Sequence, residues 1–113
     1  MYGVNKIILI GHIGEDPDLK YAEEDEPVVC FPLLTATCDI RKTERPDPPE
    51  WHNIVMGRTV AKAAQKALKK GKLVYVEGKN RTRCCEDEKG NKKYVTEVAV
   101  DYFTLLGREK DFE

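Results

Sequence analysis

The chain has 113 residues, which fits one domain with a single hydrophobic core rather than two. Hydrophobic residues make up 41% and charged residues 35%, a balance that excludes a disordered chain. The formal net charge of −1 excludes a simple polycationic nucleic-acid binder but is compatible with a basic face on a balanced body. The apolar run at 7–10 is too short for a membrane span or a signal peptide, which favours a cytoplasmic protein without a membrane partner.

Strand signals come first along the chain. Residues 4–14 are rich in β-branched side chains and end in glycines, and Asp16-Pro17 follows them. This pattern predicts strand one and a turn, and it assigns the glycines to the end of that strand. A short extended piece at 19–22 then leads into an acidic turn.

Two further strands are predicted before the middle of the chain. Residues 28–38 form the second strand, and Pro32 removes one ladder donor from it, so we expect an edge or a bulge there. A loop with three prolines occupies 39–50. Residues 51–56 form strand three.

The pattern changes to helical after strand three. Val60, Ala64 and Leu68 recur at helical spacing, Thr59 is suited to the N-cap, and Gly71 is suited to a left-handed cap at the other end. This segment is the single helix that the sequence predicts.

Two strands complete the predicted order. They occupy 72–83 and 94–106, and the glycine-containing turn between them is a hairpin signal. Five strands with one helix between the third and fourth predict an all-β fold, the five-stranded Greek-key barrel of the oligonucleotide/oligosaccharide-binding type, or OB-fold. We expect the barrel to span 1–106 and a short polar end to span 107–113.

The cysteines and histidines carry no recognisable chemistry. The spacing of the four cysteines matches neither a zinc site nor a disulfide framework, which favours reduced thiols at Cys30, Cys38, Cys84 and Cys85. The alternative is a redox or metal site in which Cys84 and Cys85 act with one of the two histidines. Nucleophile, zinc-protease and phosphate-loop motifs are absent from the sequence, so we predict a non-enzymatic protein with no metal and no cofactor.

Charge is segregated along the chain. Residues 58–83 hold nine bases and one acid, whereas 15–26 hold seven acids and one base. Lys79, Arg81 and Arg83 alternate on one strand and therefore share a face. A row of like charges is unfavourable unless an anion lies over it, and a polyphosphate backbone is the predicted anion.

Five motifs in register resemble those of the bacterial-type single-stranded DNA-binding proteins over residues 3–106. They are Val4-Asn-Lys-Ile-Ile-Leu-Ile-Gly with Asp16-Pro17, Glu50-Trp-His-Asn-Ile-Val, Lys70-Gly-x-x-Val-Tyr-Val-Glu-Gly, Arg81-Thr-Arg and Tyr94-Val-Thr-Glu-Val. The resemblance implies an OB-fold that pairs through strand one and assembles as a dimer of dimers. It also implies binding and protection of single-stranded DNA in replication, recombination and repair, on the nucleoid and without catalysis.

The resemblance also assigns residues. Trp51 falls on a position that stacks a base. Lys6, Lys70, Arg81 and Arg83 fall on or beside basic positions that approach phosphates. With Lys79 from the cation row and with Asn53, they complete the predicted DNA-binding residues. The subunit contacts are Val4, Lys6, Ile8, Ile10, His52, Tyr75 and Glu77; the last also stands out because a carboxylate among apolar strand residues must be solvated or paired.

The chain departs from the family pattern at three aromatic positions. They fall at Asp39, Gly57 and Cys85, where no ring is present. The end after residue 106 is also shorter than the acidic tail that recruits replication and repair proteins in the family. The alternative reading is therefore an interaction module similar to the tailless primosomal replication proteins, with weakened DNA binding and a protein partner.

Overall fold

The computed structural model describes residues 2–21, 25–36 and 48–107. The strands are β1 Ile7–Ile13, β2 Asp18–Tyr21, β3 Pro27–Thr35, β4 Glu50–Gly57, β5 Leu73–Glu86 and β6 Lys92–Leu105, and the helix α1 Arg58–Ala67 lies between β4 and β5. The predicted all-β class with one helix is confirmed. In the part of the chain that is described, no helix is long and apolar enough to cross a membrane.

The strands close into a ring. The sheet order is β1-β5-β6-β4-β3-β2, and β1 pairs in addition with β3. Five strands therefore form the ring, and β2 is an additional strand that pairs with the first half of β3. All pairings are antiparallel except that of β4 with β6. The OB-fold expectation of five strands in a ring is confirmed, with the correction that the short extended piece is a sixth strand, β2.

Pro32 lies where β3 changes partners. Before it, Cys30 pairs with β2, and after it, Leu33 pairs with β1. The Pro32 carbonyl accepts a hydrogen bond from the Gly14 amide at 2.9 Å. The missing donor thus falls in the gap between two partner strands, which confirms the predicted local edge.

Alternation along the strands sends one set of side chains inward. The buried apolar residues are Ile13, Val29, Phe31, Leu33, Ile54, Met56, Ala61, Ala64, Leu68, Val74, Val76, Val98 and Val100. The helix covers one opening of the ring with Ala61 and Ala64. At Gly11 a Cβ would overlap the Leu34 carbonyl, so the ring closes there by a backbone approach that only glycine permits.

Both predicted helix boundaries are wrong. The helix begins at Arg58 behind the N-cap Gly57, and it ends at Ala67 with the C-cap Leu68. The predicted cap Thr59 lies inside the first turn. Gly71 does have a left-handed φ of 90°, but it belongs to the turn into β5, where its amide donates to the Ile13 carbonyl.

Candidate nucleic-acid interface

The outer side of β5 carries the predicted row of cations. Gly78 is buried and points inward, so Lys79, Arg81 and Arg83 all point outward from the ring. Their partners on β6 are Ala99, Glu97 and Val95. The structure thus places the three cations on one face, as the alternation predicts.

A buried carboxylate already lies within this row. Glu97 is only 4% exposed, and it accepts a hydrogen bond from Arg81 Nη2 at 2.8 Å. Arg83 Nε lies 3.2 Å from both oxygens of the same carboxylate. Hydrogen bonding and charge attraction to Glu97 raise the pKa of the Arg83 guanidinium above its ordinary value.

Glu97 is a functional residue that the alternation of cations does not reveal. An external anion is not the only group that offsets the repulsion within the row, because this internal carboxylate offsets part of it. The reasoning applied to Glu77, that a lone acid among apolar strand residues must be paired, applies equally to Glu97. The hairpin register then supplies its partner, because Arg81 pairs directly with Glu97.

The two arginines are held in place but remain accessible. Their side chains are 48% and 56% exposed, and one carboxylate neutralises only one of two guanidiniums. A guanidinium has five N–H donors, so both retain donors that are not directed at Glu97. Fixed, exposed guanidiniums are the groups that bind phosphate oxygens best.

The ring of Trp51 packs against Gly14. Its ring is 59% exposed on the outer side of β4. A Cβ at Gly14 would overlap the ring atoms Cζ3 and Cη2. Gly14 is therefore a site of close approach rather than only the end of strand one, and its missing side chain fixes where the ring lies.

Lys6 lies at the edge of the row. The side-chain amide of Asn5 donates to the backbone carbonyl of Asn80 at 2.8 Å, and the backbone amide of Asn80 donates to Asn5 Oδ1 at 3.1 Å. These bonds continue the β1–β5 register and place Lys6 opposite Lys79. Lys6 and Lys79 thus form one exposed cationic pair.

The remaining predicted DNA-binding residues differ in position. Asn53 is exposed between Trp51 and the β6 edge, with its amide nitrogen 3.5 Å from the Thr96 carbonyl. Lys70 lies in the turn before β5, and the eight residue steps from Leu73 to Arg81 alone span about 26 Å along the strand. The structure therefore brings Asn53 to the row and leaves Lys70 apart from it. We use "cationic face" for Lys79, Arg81 and Arg83 together with Glu97 and Trp51.

A second exposed surface adjoins the cationic face. Ile8 and Ile10 are each 52% exposed, and they pair with Glu77 and Tyr75 on β5. Tyr102 pairs with Glu77 from the other side and makes an edge-to-face contact with Tyr75 at 6.3 Å between ring centroids. We use "apolar face" for these five residues, of which sequence analysis missed Tyr102.

One internal hydrogen bond satisfies the carboxylate of the apolar face. The Tyr75 hydroxyl donates to Glu77 Oε1 at 2.5 Å. This hydrogen bond raises the pKa of Tyr75 above its ordinary value, with smaller contributions from desolvation and from the Glu77 charge. The prediction that Glu77 is paired holds within a single chain.

Three predicted interface residues lie outside the apolar face, namely Lys6, described above, Val4 and His52. Val4 is almost fully exposed ahead of β1. His52 points to the inner side of β4, opposite to Trp51, where its Nε2 lies 2.9 Å from Thr35 Oγ1. The His52 ring thus makes a hydrogen bond within its own chain.

A groove runs beside the cationic face. It encloses about 660 Å³ and reaches from Lys20 on β2 to Arg81 and Arg83 on β5. Gly57, one of the three non-aromatic positions, lies in this groove, and a Cβ built there meets nothing within 4 Å. Cys85 lies 3.2 Å from Arg83 Nη1, whereas Cys38 and Asp39 fall outside the described residues.

The three described cysteines do not form a metal-ligand group. Cys30 lies in the groove, where burial raises the pKa of its thiol above the ordinary value. Cys84 and Cys85 are neighbours on β5, so their side chains point to opposite sides of the hairpin. Within residues 2–21, 25–36 and 48–107, no three His, Cys, Asp or Glu side chains are grouped as metal ligands.

Comparisons with known proteins agree with this geometry. A model of the single-strand binding protein family matches residues 4–106. The chain is 42% identical over 106 residues to the single-stranded DNA-binding protein of Bacteroides thetaiotaomicron, a match covering 91% of this chain and 66% of that relative. It is 36% identical over 115 residues to single-stranded DNA-binding protein 1 of Xylella fastidiosa, covering 98% of this chain and 83% of the relative.

Solved structures include a similar fold. The chain superposes on the Plasmodium falciparum SSB of a complex with single-stranded DNA, with a TM-score of 0.79 and 30% sequence identity. The match covers 95% of this chain and 98% of that one. The similarity therefore extends over the whole ring.

Proposed function

Because this chain belongs to the single-strand binding protein family, we propose that it binds and protects single-stranded DNA without catalysis, in replication, recombination and repair. The observation that carries the proposal is the cationic face, where β5 presents two arginines fixed by Glu97 and β4 presents a half-exposed Trp51. The two strands are linked by Asn53, two residues after Trp51, whose amide nitrogen approaches the Thr96 carbonyl on β6. Single-stranded DNA offers such a face bases to stack and phosphates to bind. The nucleoid in the cytoplasm is the proposed location.

Each group on the face has a proposed role. The ring of Trp51 stacks on one base, a contact worth about 1–3 kcal/mol. Arg81 and Arg83 bind phosphate oxygens through the donors that Glu97 leaves free. Lys6 and Lys79 add charge where the strand leaves the face, and Asn53 offers an amide beside the ring.

A fluorescence titration tests the proposal. Trp51 is the only tryptophan, so its emission reports on this face alone. We expect oligo-dT to quench it at low salt and duplex DNA of equal length to leave it nearly unchanged. Because rings are missing at Gly57 and Cys85, we also expect a steeper salt dependence than in relatives that carry aromatic residues there. Absence of both quenching and a gel shift at low salt would contradict the proposal.

We propose that the apolar face joins copies of the chain, as a dimer of dimers. Ile8, Ile10 and Tyr102 are each about half exposed, and side chains of this size favour burial against a partner. A monomeric mass by light scattering across the micromolar range would contradict this assembly.

A second candidate function is docking onto a replication or repair protein, with weak DNA binding. The open space at Gly57 favours it, because no ring replaces the missing platform there. The two candidates differ in their dependence on Trp51. If Trp51→Ala leaves DNA affinity unchanged while a purified replication protein still binds, docking is the function.

A further inference from the structure

The two arginines of the cationic face share one carboxylate oxygen. Arg81 and Arg83 are two residues apart on β5, which separates their backbones by about 6.6 Å. Both guanidiniums nevertheless reach Glu97 Oε1, Arg81 through Nη2 at 2.8 Å and Arg83 through Nε at 3.2 Å. Two nitrogens that contact one oxygen atom lie close together, so Glu97 draws the two side chains to a common point.

The shared carboxylate also sets the charge of this group. Glu97 is 4% exposed, and burial of a carboxylate is tolerated when cations pair with it. Two guanidiniums and one carboxylate leave the group with a single net positive charge. A phosphodiester carries one negative charge, so one phosphate neutralises the whole group.

The opposite wall of the groove adds no net charge to this group. Lys20 and Arg58 line that wall. Lys20 Nζ lies 3.9 Å from Asp18 Oδ2, and Arg58 Nε lies 3.5 Å from Glu26 Oε2, so each cation there has its own acid. The net positive charge of the described groove therefore comes from the arginine pair.

Resting on the proposed function, we propose that Glu97 is a positioning residue that joins Arg81 and Arg83 into a clamp for a single phosphodiester. The carboxylate holds the guanidiniums from the buried side, and the two nonbridging oxygens of the phosphate accept hydrogen bonds from their remaining donors on the exposed side. Without Glu97 the guanidiniums repel each other, and each neutralises a phosphate of its own.

Substitution of Glu97 tests the clamp. Glu97→Gln keeps the shape of the side chain and removes its charge. We expect the magnitude of the log–log salt slope for oligo-dT to rise by about 0.7, because one more phosphate is neutralised. We also expect the affinity extrapolated to about 1 M salt to fall about threefold to tenfold, because the guanidiniums lose their orientation.

Glu86→Gln is the matched control for this substitution. It removes the same charge from an exposed position at the end of β5, and Glu86 makes no ion pair with the described residues. We expect both the slope and the extrapolated affinity of this variant to match those of the unmodified chain.

The double variant Glu97→Gln/Arg83→Ala separates a clamp from a purely structural role. Arg83→Ala alone leaves Arg81 and Glu97 as a neutral pair, so the magnitude of the slope should fall by about 0.7. In the double variant Arg81 is a free cation, and the slope should return to that of the unmodified chain. If Glu97 only supports the fold, the double variant keeps the lower slope of Arg83→Ala.

The unmodified chain allows a measurement that needs no variant. The Nε–H bond of Arg83 is directed at Glu97, whereas Arg81 donates to it through Nη2. We expect the Hε proton of Arg83 to exchange with water at least fivefold more slowly than that of Arg81, measured by NMR without DNA. Equal exchange rates would contradict positioning by Glu97, whether or not Glu97→Gln folds.

The outcomes distinguish the clamp from the proposed function. If the unmodified chain shows no oligo-dT binding, the proposed function fails and the phosphate clamp fails with it. If the chain binds oligo-dT but the double variant keeps the slope of Arg83→Ala, the clamp alone is overturned. A restored slope together with slow exchange at Arg83 supports it.

Discussion

The outer side of β5 divides into two regions with different chemistry. Before Gly78, Tyr75 and Glu77 face outward among isoleucines, and their one hydrogen bond satisfies the carboxylate internally. After Gly78, the outward-facing residues Lys79, Arg81 and Arg83 are cations, and a buried carboxylate on β6 offsets only part of their charge. The side chains of both regions point away from the core for the same geometric reason. One strand thus supplies an apolar face suited to another copy of the chain and a cationic face suited to an anionic polymer.

The two regions meet at a backbone irregularity. The β5–β6 register shifts between Glu77 and Gly78, and Asp101 is the extra residue on β6. A Cβ at Gly78 would overlap the Ala99 carbonyl, so the strands approach closely at this boundary. Because the faces are adjacent but chemically distinct, substitutions in one should leave the function of the other intact.

The largest expected effect concerns the apolar face. The double substitution Ile8→Ser/Ile10→Ser removes two half-exposed side chains, each contributing about 1–2 kcal/mol if fully buried in every subunit. We expect the assembly to dissociate by at least one step at micromolar concentration, measured by light scattering. Oligo-dT should still quench Trp51 in the dissociated protein. Retention of the original mass would show that another surface joins the subunits.

Next in size is the loss of the stacking ring. Trp51→Ala should weaken oligo-dT binding by about 5–150-fold, the equivalent of about 1–3 kcal/mol, and leave the mass unchanged. Fluorescence anisotropy of labelled oligo-dT measures it, because the variant lacks tryptophan. Tyr94→Ala is the control, since Tyr94 is 71% exposed but points to the other side of the hairpin from Arg83. Equal losses in both variants would contradict the role of Trp51.

A smaller effect is expected from a substitution of Gly14, against which the Trp51 ring packs. Gly14→Ala places a methyl group where the ring lies, and the ring can rotate away, so the fold should persist. We expect a shifted emission maximum of Trp51 and a loss of affinity smaller than that of Trp51→Ala. Gly3→Ala is the control, because a Cβ there meets nothing within 4 Å. Unchanged emission would mean that Gly14 does not position the ring.

A single phosphate contact should contribute less still. Arg83→Ala should lower the salt slope by about 0.7 and weaken binding about threefold to tenfold at low salt, without changing the mass. Thr82→Ala, on the opposite side of the strand, serves as the control. An unchanged slope in Arg83→Ala would place the phosphates elsewhere.

The smallest effect concerns pH and the apolar face. The pKa of Tyr75 is raised, so the contribution of its hydrogen bond to folding is complete below the ordinary tyrosine pKa, about 10, and is lost as pH rises through the higher folded value. Tyr75→Phe lacks this group and should show a weaker loss of stability above pH 10. Parallel thermal melts of both proteins from pH 8 to 11 measure the difference. Identical pH profiles would contradict the contribution of this bond.

Local pattern was enough to predict the ring and the cation row. Alternation placed Arg81 and Arg83 on one face, and helical spacing placed Ala64 and Leu68 toward the core. The helix start was wrong because Arg58 adopts a left-handed conformation that lets β4 run directly into the helix. No propensity rule anticipates this conformation for arginine.

Features that depend on distant parts of the chain were missed. Gly14 and Trp51 are 37 positions apart, and only ring closure brings them together. Glu97 was within reach of sequence reasoning, because the hairpin turn sets its register with Arg81. Lys70 was assigned to the interface by resemblance, but the length of β5 separates it from Arg81 and Arg83, and it lies instead in the turn that bonds to Ile13 and Asp16.

The central claim is that one small ring binds single-stranded DNA and joins copies of itself through two separate faces. Mass in solution, measured by light scattering with and without fluorescein-labelled oligo-dT, tests both parts at once. The account predicts a multimer of about four chains in both samples, with the DNA co-eluting in the second. A multimer that leaves the oligonucleotide unbound at low salt, or a monomer in both samples, would contradict it.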